Sequence, residues 1–285
     1  MTVSDRRRRL RAVLDGTACV HPASVFDPIS ARIAEDLGFE IGMFAGSTAS
    51  LTVLGAPDIV ILTLSEFAEQ IRRITRAGDL PLLVDADHGY GNALSVVRTV
   101  QELEVAGVAA MTIEDTALPR GFGDTGPKLL SREEGLGKMR AALAARTDPS
   151  LVIVGRTSAM TISDTDDAVA RAALYAAAGV DALFFTGVSS ADQLAAVRAK
   201  TTLPIILGGT DGDLGGREAM TAMGVRVALQ GHQPIMAAIR AVHETLSALR
   251  AGVAPKALGN QPSAELLRRV TRAADYEAAT KAFLG

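Results

Sequence analysis

The chain is 285 residues long and 48% hydrophobic, with 29 basic and 32 acidic side chains and a formal net charge of −3. That is enough apolar material for one large α/β domain, and the near-balanced charge leaves no electrostatic footprint for nucleic acid. The single cysteine, Cys19, excludes an internal disulfide and a cysteine-based metal cluster, and no apolar run reaches the ~18 residues that a membrane span needs.

The basic run Arg6-Arg7-Arg8-Arg9 reads as the solvated start of a first helix, because Leu10, Val13 and Leu14 continue on helical spacing. No signal-peptide core follows it, so a soluble, cytoplasmic protein is expected. Short apolar runs then alternate with alanine-rich helical stretches. Strands are expected at Ala18–His21, Ile41–Ala45, Leu82–Asp85, Ala109–Ile113, Leu151–Gly155, Ala182–Thr186, Pro204–Leu207 and Arg226–Leu229. Helices are expected between them, at Ser30–Leu37, Leu64–Ala77, Ala93–Glu104, Arg132–Ala145, Asp166–Ala178, Ser190–Ala199 and Gly216–Met223. Gly38, Gly107, Gly179 and Gly224 each stand between a helix and the next strand, where a left-handed C-cap turns the chain back. Eight such units predict a (β/α)8 TIM-type barrel. The rival, a doubly wound open sheet, would usually announce a phosphate loop after its first strand. Beyond the eighth strand come a helix from Gln233 to Ala251, a Gly/Pro-rich linker, and an amphipathic helix from Ser263 to Phe283. The barrel domain is thus expected at 1–251, and the segment 252–285 must cap it or pack on a partner subunit.

Polar residues recur at the expected strand ends, and in a barrel these all face one mouth. Strand two is followed by Gly46-Ser47-Thr48-Ala49-Ser50, strand three ends in Asp85 and Asp87, and strand four ends in Glu114-Asp115. Strand five ends in Arg156-Thr157, strand seven in Gly208-Gly209-Thr210, and strand eight in Gly231-His232. Two hard oxygen donors after a buried strand suit a divalent cation, most naturally Mg²⁺, although they would equally cap the next helix or close an Asx turn. Arg156 needs an anionic partner, either Glu114 or a substrate carboxylate that its planar fork can clamp. His232 reads as a substrate ligand, an acid/base group or a satisfied core histidine. His88 and His21 rank behind it, and His243, inside a helix, reads as structural. The glycines of Gly89-Tyr-Gly91 are expected to let backbone approach a metal. Cys19 is expected to be an inert core residue.

Taken together, the segments Ser30–Gly38, Gly46-Ser47 with Gly55-Ala-Pro-Asp58, Asp85-Ala-Asp-His-Gly-Tyr-Gly91, Ile113-Glu-Asp115 and Gly155-Arg-Thr157 resemble the isocitrate lyase/phosphoenolpyruvate mutase superfamily over nearly the whole chain. Within it, Ala23–Pro28, Leu62–Phe67, Asp85–Ala93, Glu133–Lys138 and Gly224–Val227 look most like the oxaloacetate decarboxylase branch. The resemblance implies a barrel whose last helix is exchanged with a neighbour in a homotetramer, a dimer of dimers, which gives Ser263–Phe283 a place. It implies Ser47 as a holder of a substrate carboxylate or keto oxygen, and Arg156 and His232 as substrate contacts. It also implies Asp85 as a direct ligand of Mg²⁺, or of Mn²⁺ in its place, with Asp87 and Glu114 holding the ion through waters. The implied reaction is decarboxylation of oxaloacetate, or a close 2-oxo dicarboxylate, to pyruvate and CO₂ through a metal-stabilised enolate.

Two departures bear on substrate. The superfamily's isocitrate-type lyases carry a Lys-Lys-Cys-Gly-His loop after strand four, whereas Leu118–Pro127 contains neither cysteine nor histidine, which argues against that activity. After strand seven the decarboxylase branch has a tyrosine, and this chain reads Gly208-Gly-Thr-Asp-Gly212. The alternatives are a carbon–carbon lyase or hydrolase acting on another 2-oxo or 2-hydroxy acid, and a relic barrel that serves as a scaffold.

Overall fold

The apolar runs pair in parallel with one another in chain order. The computed structural model describes residues 1–210 and 212–285; Asp211 lies outside them. The elements run α1 (Val3–Asp15), β1 (Ala23–Ser24), α2 (Pro28–Asp36), β2 (Gly42–Phe44), α3 (Gly46–Ala49), α4 (Leu64–Thr75), β3 (Leu82–Asp85), α5 (Ala93–Val105), β4 (Ala110–Glu114), α6 (Arg132–Ala145) and β5 (Val152–Thr157). The second half continues with α7 (Ala159–Ile162), α8 (Thr165–Ala178), β6 (Ala182–Phe185), α9 (Ala191–Arg198), β7 (Ile205–Leu207), α10 (Gly216–Ala222), β8 (Val225–Ala228), α11 (Gln233–Arg250), α12 (Ala264–Val270) and α13 (Ala273–Phe283). The eight strands form one sheet in the order β1 to β8, and a parallel bridge between Val20 and Val227 joins its two edges. This is the expected TIM-type barrel.

Period-2 alternation sorts the strand residues into two shells. Met43, Leu83, Val154, Phe184, Ile206 and Val227 fill the interior, while Phe44, Val84, Ile153, Phe185 and Leu207 pack outward under the helices. Leu10 and Leu14 of α1 join the inner shell, so α1 plugs the end of the barrel opposite the mouth. The expected αL glycines are there: Gly38, Gly107, Gly179 and Gly224 have φ of 81°, 91°, 97° and 84°. Among the described residues no helix is long and apolar enough to cross a membrane.

Three expectations need correction. The first strand is Ala23–Ser24 and not Ala18–His21; of the expected run only Val20 pairs, because Pro22 has no N–H to continue the ladder there. The basic run is solvated only at Arg8 and Arg9. Arg6 and Arg7 are buried, with Arg6 donating to Thr75 O (2.6 Å) and Gly78 O (2.9 Å) and Arg7 to Val108 O (3.0 Å) and Glu104 O (2.8 Å). The segment after β2, for which the sequence carried no expectation, is helical from its first glycine, as α3 and a π-turn at Ser50–Leu54 follow directly. Finally, Ser263–Phe283 is two helices, broken where Arg272 takes a left-handed φ of 57° and bonds Asp36 of α2 at 2.8 Å. The segment after the linker is thereby tied to its own α2. α11, in which only Ile235 is buried, stands clear of the barrel over most of its length, and α13 buries no residue.

Candidate active site

The loop after β3 builds the acidic side of the mouth. Ala86 N donates to Thr112 O (3.1 Å) and Glu114 N to Asp87 O (2.9 Å), so the β3–β4 ladder continues past the strand end and brings Asp85, Asp87 and Glu114 together. Asp85 Oδ1 accepts from the Thr112 hydroxyl (2.9 Å) and the Asp87 amide (3.1 Å), and its Oδ2 takes Arg156 Nη1. Glu114 Oε2 accepts from Thr116 Oγ1 (3.0 Å) and lies 3.3 Å from Arg156 Nε. That nitrogen is buried and aims no N–H at an acceptor, so charge alone holds the second contact. Neither aspartate caps the following helix: Asn92 does, accepting from Leu94 N (3.0 Å) and Ser95 N (3.3 Å).

Backbone in the loop is strained. Asp87 and Tyr90 take φ of 47° and 58°, conformations that cost side-chain-bearing residues on the order of 1 kcal/mol or more. Packing requires the flanking glycines. A Cβ on Gly89 would stand 2.5 Å from Val96 Cγ2, and one on Gly91 2.4 Å from Ser95 Oγ, both on α5. The glycine that does admit a site carboxylate is Gly46, where a Cβ would lie 2.8 Å from Asp87 Oδ1. Ser47 follows it, half-buried, its hydroxyl without a protein partner among the described residues.

Burial pushes Asp87 well above the usual carboxylate range, and the negative charges of Asp85 and Glu114 push it further. Glu114 is raised by burial too, against the opposing pull of Arg156. Burial alone would loosen the Arg156 proton, but Asp85 and Glu114 outweigh it and hold it more firmly than usual. The guanidinium also lies over the Phe184 ring, 5.4 Å from its centroid. Three clustered carboxylates thus share one cation. Beyond the end of β8, His232 Nδ1 is 2.9 Å from Ser24 Oγ, and burial lowers its pKa against the pull of Asp85 and Asp58.

The other histidines are accounted for. His21 Nδ1 donates to Ala228 O (2.8 Å), His88 is buried with its pKa pushed down to about 4 by burial and Lys138, and His243 is exposed on α11. Cys19 is fully buried, as expected. Sequence reading missed Thr112, Thr116, Ser24, Lys138 and Asp58. Thr112 was findable, since it precedes Glu114 by two and so shares its face. Lys138 was not: from α6 it reaches His88 O (2.8 Å) and props the acidic loop. Asp58, placed by the loop after α3, has its pKa raised by partial burial and by Asp85.

The donor set fits a hydrated divalent cation. It is all oxygen and holds surplus negative charge, and among the described residues no three such groups converge tightly enough to grip a bare ion. Mg²⁺ keeps several waters and is commonly held by one or two carboxylates.

The phosphoenolpyruvate phosphomutase family model matches residues 10–250. The chain is 61% identical over 285 residues to an oxaloacetate decarboxylase of Rhodopseudomonas palustris strain BisB5, covering 100% of this chain and 99% of that one. It is 58% identical over 284 residues to one of Bradyrhizobium sp. strain BTAi1, with the same coverage of 100% and 99%. Among solved structures, phosphonopyruvate hydrolase in complex with oxalate and Mg²⁺ superposes with a TM-score of 0.87 at 28% identity, over 98% of this chain and 99% of that one. Oxaloacetate acetylhydrolase with the inhibitor 3,3-difluorooxalacetate gives 0.85 at 29% identity, over 98% and 97%. Matched along the barrel by the family model and end to end by these relatives, the chain belongs to the phosphoenolpyruvate phosphomutase family.

Proposed function

We propose that the protein is a carbon–carbon lyase that decarboxylates oxaloacetate, or a close 2-oxo dicarboxylate, to pyruvate and CO₂. The observation that carries this reading is the meeting of Asp85, Asp87, Glu114 and Arg156 at one barrel mouth, in a chain whose full-length relatives are oxaloacetate decarboxylases. Asp85 would hold Mg²⁺ directly, and Asp87 and Glu114 through waters. When bound, the ion supplies Lewis-acid polarisation of the 2-oxo group.

The chain's own groups do the rest. Arg156, clamped by Asp85 and Glu114 and seated on Phe184, is a fixed positive charge for a substrate carboxylate and for charge that develops beside it. The Ser47 hydroxyl donates to the carboxylate or keto oxygen. As the C3–C4 bond breaks, its electron pair passes towards the 2-oxo oxygen and C4 leaves as CO₂. A proton then returns to C3 from water or from His232, which Ser24 keeps in place. No nucleophile is required.

The reading extends to assembly and location. The partner is a second copy of the chain, in a dimer of dimers. Support comes from the apolar stripe Ile235, Ile239, Val242, Leu246 and Leu249, which runs along α11 at 4-3-4-3 spacing with its last four members exposed. A groove of about 460 Å³ beside α2, lined by Ile29, Ile33, Leu37 and Phe39, is apolar in the same way. A cytoplasmic location suits the lone, buried, unpaired Cys19.

The test is pyruvate and CO₂ release from oxaloacetate with Mg²⁺, set against EDTA, the Asp85→Ala variant and the enzyme-free Mg²⁺ rate. A strong excess that depends on both Asp85 and metal is expected. An inert wild type that still binds Mg²⁺ would shift the activity to another 2-oxo or 2-hydroxy acid.

A further inference from the structure

Side chains alternate into and out of the barrel, and this orders the mouth into tiers above β5, β6 and β7. Arg156 pairs with Phe184, and Phe184 with Ile206, in one inward tier. The ladder continues past the strand ends through Thr186 N to Thr157 O (3.4 Å) and Gly208 N to Phe185 O (2.9 Å). The next inward tier is therefore Ser158, Thr186 and Gly208. Thr186 Oγ1 donates to Ser158 Oγ at 2.9 Å, and both residues are half-buried. A Cβ on Gly208 would stand 3.1 Å from both Phe184 Cε1 and Thr186 Cγ2, so the aromatic ring and the threonine methyl close the floor of this corner. The tier contains no charged side chain. By strand order Arg156, on the same strand as Ser158, lies on the Asp85 side of Thr186 and Gly208.

We propose that Ser158 and Thr186 form the seat of the carboxylate that departs, a role that rests on the decarboxylase reading above. The substrate carries two carboxylates with opposite fates. The one next to the keto group keeps its charge throughout, and strong charged partners on the Asp85–Arg156 side suit it. The other begins as an anion and ends as neutral CO₂, its bonding pair left on C3. A cation beside it would stabilise the ground state more than the transition state and so slow the bond cleavage. The Ser158 hydroxyl, whose oxygen accepts from Thr186, is free to donate to the group over an aromatic floor and orients it without opposing its loss of charge. The neutral tier thus makes the site selective for substrates that shed a carboxylate.

Steady-state kinetics on oxaloacetate, with oxalate as a competitive inhibitor, test the assignment. Oxalate matches the keto-acid end and has no departing group. Thr186→Val and Ser158→Ala are each expected to raise KM about tenfold, the effect of losing one hydrogen bond to a charged group, with oxalate inhibition unchanged. Thr186→Ser is expected to behave as wild type. Thr186→Arg is expected to lower both KM and kcat. Wild-type kinetics in Thr186→Val and Ser158→Ala, weakened oxalate inhibition in step with KM, or a raised kcat in Thr186→Arg would each overturn the seat while leaving the decarboxylase reading intact. Inert oxaloacetate with the wild-type enzyme would overturn both.

Discussion

Gly135 of α6 has no side chain because Tyr175 occupies the space one would take. A Cβ there would stand 2.3 Å from the Tyr175 hydroxyl oxygen, which donates to buried Asp115 at 2.5 Å beside Arg171. Gly135→Ala is expected to lower stability by about 1–3 kcal/mol in urea unfolding, the usual range for overpacking. Adding Tyr175→Phe should recover part of that loss, because it removes the atom that clashes. In the site, Arg156→Lys keeps the charge but loses the planar fork that bonds Asp85 while its Nε stands 3.3 Å from Glu114. A fall of roughly 100-fold or more in kcat/KM is expected in steady-state assays, comparable to deleting one preorganised donor. At this scale the sequence was legible wherever a residue's need was local. A strand-end arginine had to find an anion, and glycines after helices had to turn the chain. It was illegible for Gly46, Gly89 and Gly91, whose neighbours Asp87, Val96 and Ser95 occupy the space only once the loop is folded.

Among the elements, α1 departs most from its reading. Helical spacing places Arg7 on the same side as Leu10 and Leu14, so the arginine enters the barrel base with the leucines. It finds Asp148, whose Oδ2 accepts from Arg7 Nη1 (2.7 Å) and Ser4 Oγ (2.7 Å) while Oδ1 accepts from Ser150 N (2.8 Å) and Ser150 Oγ (2.6 Å). Burial alone would raise the Asp148 pKa, but the hydrogen bonds from Ser150, Ser4 and Arg7 outweigh it and hold the carboxyl well below the ordinary range. A depressed native pKa means the unfolded chain binds the proton more readily. The resulting stability is full above the unfolded value near 4 and is lost as pH falls from there through the native value. Asp148→Asn is expected to cost about 2 kcal/mol near neutrality, and its melting temperature should fall less steeply than that of the wild type between pH 5 and 2. A variant that tracked the wild-type slope would place the acid-sensitive group elsewhere. The four arginines were visible in the sequence. Which of them face inward became clear only when the leucines fixed the rotation of the helix.

For the whole molecule, the contrast lies between the barrel and the helices beyond β8. Alternating apolar runs with capped helices between them allow few topologies, and eight such units close on themselves, so the barrel was readable from the chain. The position of α11 was not, because its 4-3-4-3 stripe suits a helix on its own barrel as well as one against a second copy. Leu246→Glu places a charge in the exposed stripe and is expected to lower the sedimentation coefficient towards that of a single chain, with the barrel's circular dichroism preserved. An unchanged coefficient would remove α11 from the assembly. What the sequence determined by itself was the strand and helix order, the mouth at which Asp85, Asp87, Glu114, Arg156 and His232 gather, and the family. Each arises from local periodicity, or from residues that stand at the same end of successive strands. What only the tertiary structure decided was the burial of Arg6 and Arg7, the break at Arg272, the Ser24–His232 contact, and the neutral tier of Ser158, Thr186 and Gly208. Those depend on which faces of distant segments meet, and no local pattern encodes the meeting.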